Sequence, residues 1–142
     1  MENHLIHIAQ LFAALVCGLA VWRGDRPARW IGLAYGGAFA LSFLAFNGRR
    51  TDVEVLPFLL DATILVVFVW VSLRWRRLWV AVAAACMLMA TVAHAAALMD
   101  LRIALNTIIM TQNIWNMGVI FALLWGAVWG SSRPGLPARA AV

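Results

Sequence analysis

A chain of 142 residues with 65% hydrophobic residues, 12% charged residues and eight Trp has a mean hydropathy of +0.89, too apolar for a soluble domain of this size. It reads as an integral membrane protein. The net charge of +5 does not indicate nucleic acid, because all 11 basic residues are Arg and they fall in short loops or in the tail, where they set topology.

The first apolar run extends from Leu5 to Trp22. No Lys or Arg precedes Arg23 and no small-residue cleavage site is evident, so the run reads as a retained helix rather than a signal peptide. Gly24 and Pro27 are expected to stop it in a loop, 23–29, held in water by Arg23, Arg26 and Arg29. The second run, Trp30 to Phe46, carries Gly32, Gly36 and Ala40 at four-residue spacing, a surface that lets another helix approach closely. A polar but nearly neutral loop over 47–55, with Arg49, Arg50, Asp52 and Glu54, separates it from the third run, Leu56 to Leu73. There Pro57 falls in the first turn, where a missing amide hydrogen costs little.

The four-residue basic hinge Arg74-Trp75-Arg76-Arg77 leads into the fourth run, Leu78 to Met99. So short a hinge forces the two runs to be antiparallel neighbours. A connection over 100–106 precedes the fifth run, about Thr107 to Trp129, which carries Gly118, Ala122, Gly126 and Gly130 as a second small-residue stripe. Cys17 and Cys86 lie inside apolar runs and offer neither a disulfide framework nor a zinc spacing. A helix needs ~20 residues to cross the ~30 Å hydrocarbon core. The expected fold is therefore an all-α polytopic membrane bundle of five transmembrane helices, with four as the alternative count. The bundle occupies residues 1–130, and a tail with Pro134 and Pro137 follows over 131–142.

Orientation follows from the arginines. The first loop, the hinge and the tail hold Arg23, Arg26, Arg29, Arg74, Arg76, Arg77, Arg133 and Arg139, against Arg49, Arg50 and Arg102 in the alternate set. The asymmetry predicts an outside N-terminus and a cytoplasmic C-terminus. Trp22, Trp30, Trp75, Trp79 and Trp129 fall at the predicted cytoplasmic ends of five segments, as an interfacial aromatic belt does.

Counting from those ends at ~1.5 Å per residue places Gln10, Ser42, Asp61, Thr91 and Asn116 roughly 20 Å deep, and His7, His94 and Asn113 roughly 24 to 26 Å deep. The intramembrane polar groups of all five segments thus converge on one level in the outer leaflet. Asp61 must face the bundle or a water-filled cavity, and hairpin geometry makes His94 its expected partner. Ser42, Thr91, Gln112 and Asn116 read as interhelical hydrogen-bond glue.

Leu60-Asp61, the hinge from Arg74 to Trp79, Thr91-Val92-Ala93-His94 and Asp100-Leu101-Arg102-Ile103 resemble an uncharacterised group of small polytopic bacterial inner-membrane proteins. The resemblance implies a multi-pass protein of that membrane and no particular activity. Arg49-Arg50 followed by Glu54-Val55-Leu56-Pro57-Phe58-Leu59 is similar to the second helix of the membrane-associated eicosanoid and glutathione enzymes. Those enzymes are four-helix trimers that bind glutathione on the cytoplasmic side. Here the matching loop is expected outside, and five spans fit better than four.

No catalytic residue is assigned. The leading expectation is a non-catalytic integral membrane protein of the bacterial inner membrane. It would serve as an accessory or structural subunit of a larger membrane complex, or as a homo-oligomer, with the lipid bilayer and other subunits as partners. The first alternative is a binding protein in which His7, His94 and Asp61 hold a haem, a metal (with His4) or a quinone, since imidazole ligates metals and titrates near neutrality. The second is a small channel or transporter, against which stands an inner half built almost entirely from Leu, Val, Ala, Trp and Phe.

Overall fold

The apolar runs form helices, which satisfy their own backbone groups along their length. The structure, a computed structural model, describes residues 2–45, 55–99 and 105–129. Among these residues it is all-α, without strands: α1 (Glu2–Arg23), α2 (Arg26–Ala45), α3 (Val55–Trp75), α4 (Leu78–Met99) and α5 (Leu105–Trp129). The expected loop over 47–55, with Arg49 and Arg50, lies almost wholly outside the described residues, as do Arg102, Gly130 and the tail over 131–142.

The first connector is shorter than the composition suggests. Arg26, Pro27 and Arg29 belong to the opening turn of α2 instead of a solvated loop. Asp25 is the cause: its Oδ1 accepts the Ala28 amide at 3.2 Å and its carbonyl accepts the Arg29 amide at 3.0 Å, which caps the helix. Pro27 sits where no intrahelical amide bond is needed, so it starts a helix here and breaks none.

The basic hinge also contracts. Arg74 and Trp75 continue α3, and only Arg76 and Arg77 connect it to α4. Arg76 adopts φ 48° and donates its amide to the Ser72 carbonyl at 2.9 Å, a left-handed closing residue of the kind that ends many helices. The two connectors meet, with Arg77 Nη2 3.7 Å from Asp25 Oδ2. That ion pair ties the first and third turns together at one end of the bundle.

The helices pack in a ring. Each touches its neighbour in the chain, α1 closes the ring against α5, and α2 also reaches α5 across the middle. Phe68, Ile31, Met87, Leu123, Val71, Val80 and Val119 are fully buried inside. Small residues set the closest approaches. Gly32 and Gly36 pack on Cys17 and Ala20 of α1, and Gly118 packs on Cys86 of α4. A Cβ at Gly126 would sit 2.5 Å from the Trp79 ring, which is buried between α4 and α5 and so departs from the exposed aromatic belt expected at that end.

The outer faces are apolar. Exposed apolar side chains recur along the helices, among them Leu15 at 70%, Val66 at 68% and Phe121 at 60%, more apolar surface than a water-facing bundle commonly presents. Two stretches, Pro57–Trp75 and Leu78–Met99, are long and apolar enough to cross a membrane, and Gln10–Arg23 is a shorter apolar stretch. Arg26 and Arg29 in α2, and Gln112, Asn113 and Asn116 in α5, lower the hydropathy of those helices.

Two substitutions test this packing. Gly126→Ala is expected to destabilise the protein by about 1–3 kcal/mol through overpacking against Trp79. Gly37→Ala, where a Cβ meets nothing within 4 Å, should be neutral or stabilising by up to about 1 kcal/mol. Thermal melts of the purified chain distinguish the two. Asp25→Ala removes the cap of α2 and should lower stability by about 1 kcal/mol in the same assay.

Candidate functional site

An apolar bundle tolerates a carboxylate only where donors meet it, and Asp61 on α3 meets two. Its Oδ2 lies 2.7 Å from His94 Nδ1 on α4 and accepts the amide of Gln112 Nε2 on α5 at 2.8 Å. Three successive helices therefore converge on one oxygen atom. The antiparallel hairpin accounts for the first contact: Asp61 and His94 are similarly far from the two-residue turn, so the turn brings them level.

The third side of the triangle, Gln112 Nε2 to His94 Nδ1, measures 3.0 Å. With the carboxylate as shared acceptor, the imidazole Nδ1–H and the amide N–H both donate to it, and the 3.0 Å between the two donor nitrogens is a close contact and not a third bond. Turning the amide over would set its oxygen against the carboxylate oxygen. Gln112 Oε1 is buried and takes no hydrogen bond in the structure. With Nδ1 engaged, the ring presents Nε2 on its opposite side. Neutral His94 then offers a lone pair there, and the imidazolium offers an N–H while forming an ion pair with Asp61. The side chains of His94 and Asp61 are 24% and 18% exposed, so the cluster lies at the edge of the packed interior, within reach of a small molecule.

The other polar residues divide differently. Thr91 Oγ1 donates to its own helix, to the Met87 carbonyl at 2.8 Å, and does not act as interhelical glue. Thr63 does the same toward Leu59 at 2.8 Å. Gln10, Ser42 and Asn116 are half-buried and Asn113 is exposed; among the described residues no hydrogen bond joins Ser42, Asn113 or Asn116 to Asp61, His94 or Gln112. His4 and His7 belong to α1, but their side chains lie outside the described residues, so the structure does not join them to the site. Among the described residues no three His, Cys, Asp or Glu side chains gather as a metal site.

Gln112 is the member that sequence reasoning assigned to glue. Counting along α5 puts it ~26 Å from Trp129, level with His94. What distance along the axis does not supply is rotation. Gln112 and Asn113 point about 100° apart, and only the packing of α5 on α4 selects the glutamine.

Comparison with known proteins finds no family, curated protein or solved structure that matches the chain. Neither the resemblance at the hairpin nor that over residues 49–59 therefore assigns a family, and the site's own chemistry carries its reading.

Energetic coupling is the measurable signature of the cluster. His94→Leu and Asp61→Leu are each expected to destabilise the protein, because each leaves a polar partner behind. The double variant should recover part of the loss, with a coupling energy of about 0.6–1.7 kcal/mol, the range for hydrogen bonds between membrane helices. Strictly additive shifts in a thermal melt would show that the two side chains do not interact.

Proposed function

We propose that the chain is a five-span, multi-pass protein of the bacterial inner membrane. Its N-terminus lies outside and its C-terminus in the cytoplasm. It catalyses no reaction of its own, and binds the hydrogen-bonding head group of a membrane-soluble molecule of the quinone class at Asp61, His94 and Gln112. The observation that carries this reading is the convergence of three helices on one carboxylate oxygen, with contacts of 2.7 and 2.8 Å, inside an apolar bundle. An ionisable group in that setting is expensive and marks a functional site by default.

Membrane insertion is supported by the outward faces. Only 17% of the apolar stretch of α3 and 39% of that of α4 is buried within the protein, whereas the core helix of a soluble protein would be mostly covered. Orientation is supported by the Asp25–Arg77 contact, which gathers Arg23, Arg26, Arg29, Arg74, Arg76 and Arg77 at one end. The positive-inside rule makes that end cytoplasmic and sets the Asp61 cluster toward the outer leaflet.

The quinone class is favoured by the two states of His94. A quinone carbonyl requires a donor, which imidazolium Nε2–H supplies. A quinol hydroxyl requires an acceptor, which neutral Nε2 supplies, while Asp61 holds Nδ1 in both cases. A bound metal ion would need ligands beyond His94 and Asp61, and among the described residues no third His, Cys, Asp or Glu joins them. On α3, α4 and α5 no Asp, Glu, His, Lys or Arg lies between the cluster and the hinge-end arginines, which disfavours a route through the protein. The accessory-subunit reading loses one support, because Gly32, Gly36, Gly118 and Gly126 pack within the bundle.

The test is binding of a short-tailed ubiquinone analogue to the purified chain in lipid nanodiscs. Saturable binding is expected, weakened at least tenfold by His94→Leu and by Asp61→Asn, a loss of about 1.4 kcal/mol. Ser42→Ala should leave it unchanged. Absence of saturable binding overturns the quinone assignment, and a haem absorption band or bound metal in the purified chain would put the metal reading in its place.

A further inference from the structure

On the outside of the bundle, away from the Asp61 cluster, α1 and α2 leave an open groove of about 700 Å3. Gly18 and Gly37 line it, and a Cβ on either would meet no atom within 4 Å. Two missing side chains on facing helices therefore create the space. A smaller hollow of about 220 Å3, lined in part by Phe39 and Ala40, continues the same seam. From Arg29 to Ala40 the seam runs 11 residues along α2, ~16 Å at the helical rise. That length is one leaflet of a ~30 Å hydrocarbon core. A partner transmembrane helix would call for a contact across the whole span.

The mouth of the groove is cationic. Arg29 lines it, and its Nε donates to the Gly24 carbonyl at 3.0 Å, which anchors the side chain there and leaves its terminal guanidinium nitrogens for an anion. Arg23 and Arg26, both exposed, belong to the same turn region. The one carboxylate nearby, Asp25, is drawn toward Arg77 at 3.7 Å, so among the described residues these three arginines have no acidic partner. Trp22, 80% exposed, also lines the groove at the level where tryptophans meet lipid head groups.

We propose that this groove binds one anionic phospholipid of the cytoplasmic leaflet, its acyl chain along Gly18 and Gly37 and its phosphate at Arg29. The proposal rests on the membrane orientation given above and is independent of the quinone site. An apolar trough one leaflet long, closed by an unpaired cation, is complementary to a lipid with a negative head group.

Native mass spectrometry of the full chain released from bilayers of equal phosphatidylglycerol and phosphatidylcholine tests it. The wild-type chain should retain one phosphatidylglycerol. Gly37→Leu, and Gly18→Leu on the opposite wall, place a side chain in the groove from a Cβ that meets nothing within 4 Å; both should lose the lipid while keeping the helical circular dichroism spectrum. Arg29→Gln should lower the preference for the anionic lipid about fivefold, the factor for about 1 kcal/mol per arginine near an anionic surface. Equal retention of the two lipids, retention unchanged by both leucine variants, or a second copy of the chain retained in place of lipid would each overturn the proposal. A wild-type chain extracted from bilayers by alkaline carbonate fails the membrane reading and this site with it. A chain that stays inserted but shows no lipid preference fails this site alone.

Discussion

One oxygen atom, Asp61 Oδ2, ties the structure together. A carboxylate among apolar side chains must have donors, and both of its donors come from other helices, His94 at 2.7 Å and Gln112 at 2.8 Å. Satisfying it therefore constrains three helices at once. Moving α4 by one residue would shift His94 by ~1.5 Å along the axis and about 100° around it, which breaks its contact with Asp61. The two-residue turn at Arg76 and Arg77 limits such slippage from the other end. Close approaches at Gly118 and Gly126 bring α5 near enough for an amide to reach across. Packing and site are thus one problem: the same register that buries Met87 and Leu123 delivers the imidazole to the carboxylate.

The bundle has two chemically different ends. At the hinge end, Asp25 caps α2 through Ala28 and reaches Arg77, so a single acidic residue organises two turns amid arginines and tryptophans. Toward the other end the arginines give way to a small neutral or singly charged cluster bordered by apolar side chains. On the membrane reading, the first end meets the cytoplasmic head groups and the second faces the outer leaflet, where lipid-soluble molecules diffuse. On the proposed function, that asymmetry favours a ligand carrying one or two hydrogen-bonding groups on an apolar body over a polar metabolite.

Much of this was legible from spacing. The brevity of the hinge and the depth count along each run were enough to pair Asp61 with His94, because axial distance in a helix is a linear count. Rotation is not, and it decided the remainder. Gln112 shares the level of several amides, yet only the α4–α5 interface turns it inward. Thr91 occupies the right level but bonds to its own helix at Met87, as hydroxyl side chains can wherever a carbonyl four residues back is open. Pro27 looks like a helix breaker until Asp25 is seen to cap the turn that contains it. Trp79 looks interfacial by position but is taken into the core by the gap at Gly126. The closing of the ring between α1 and α5 joins segments far apart in the chain, which no local pattern reports.

The central claim is that Asp61 governs the ring of His94. Nitrogen-15 NMR of the imidazole in lipid bilayers, with His4 and His7 changed to Gln, reads this directly. A protonated Nδ1 in a strong hydrogen bond is expected, with a resonance that moves when Asp61 is replaced by Asn. A His94 spectrum identical in the two proteins would contradict it.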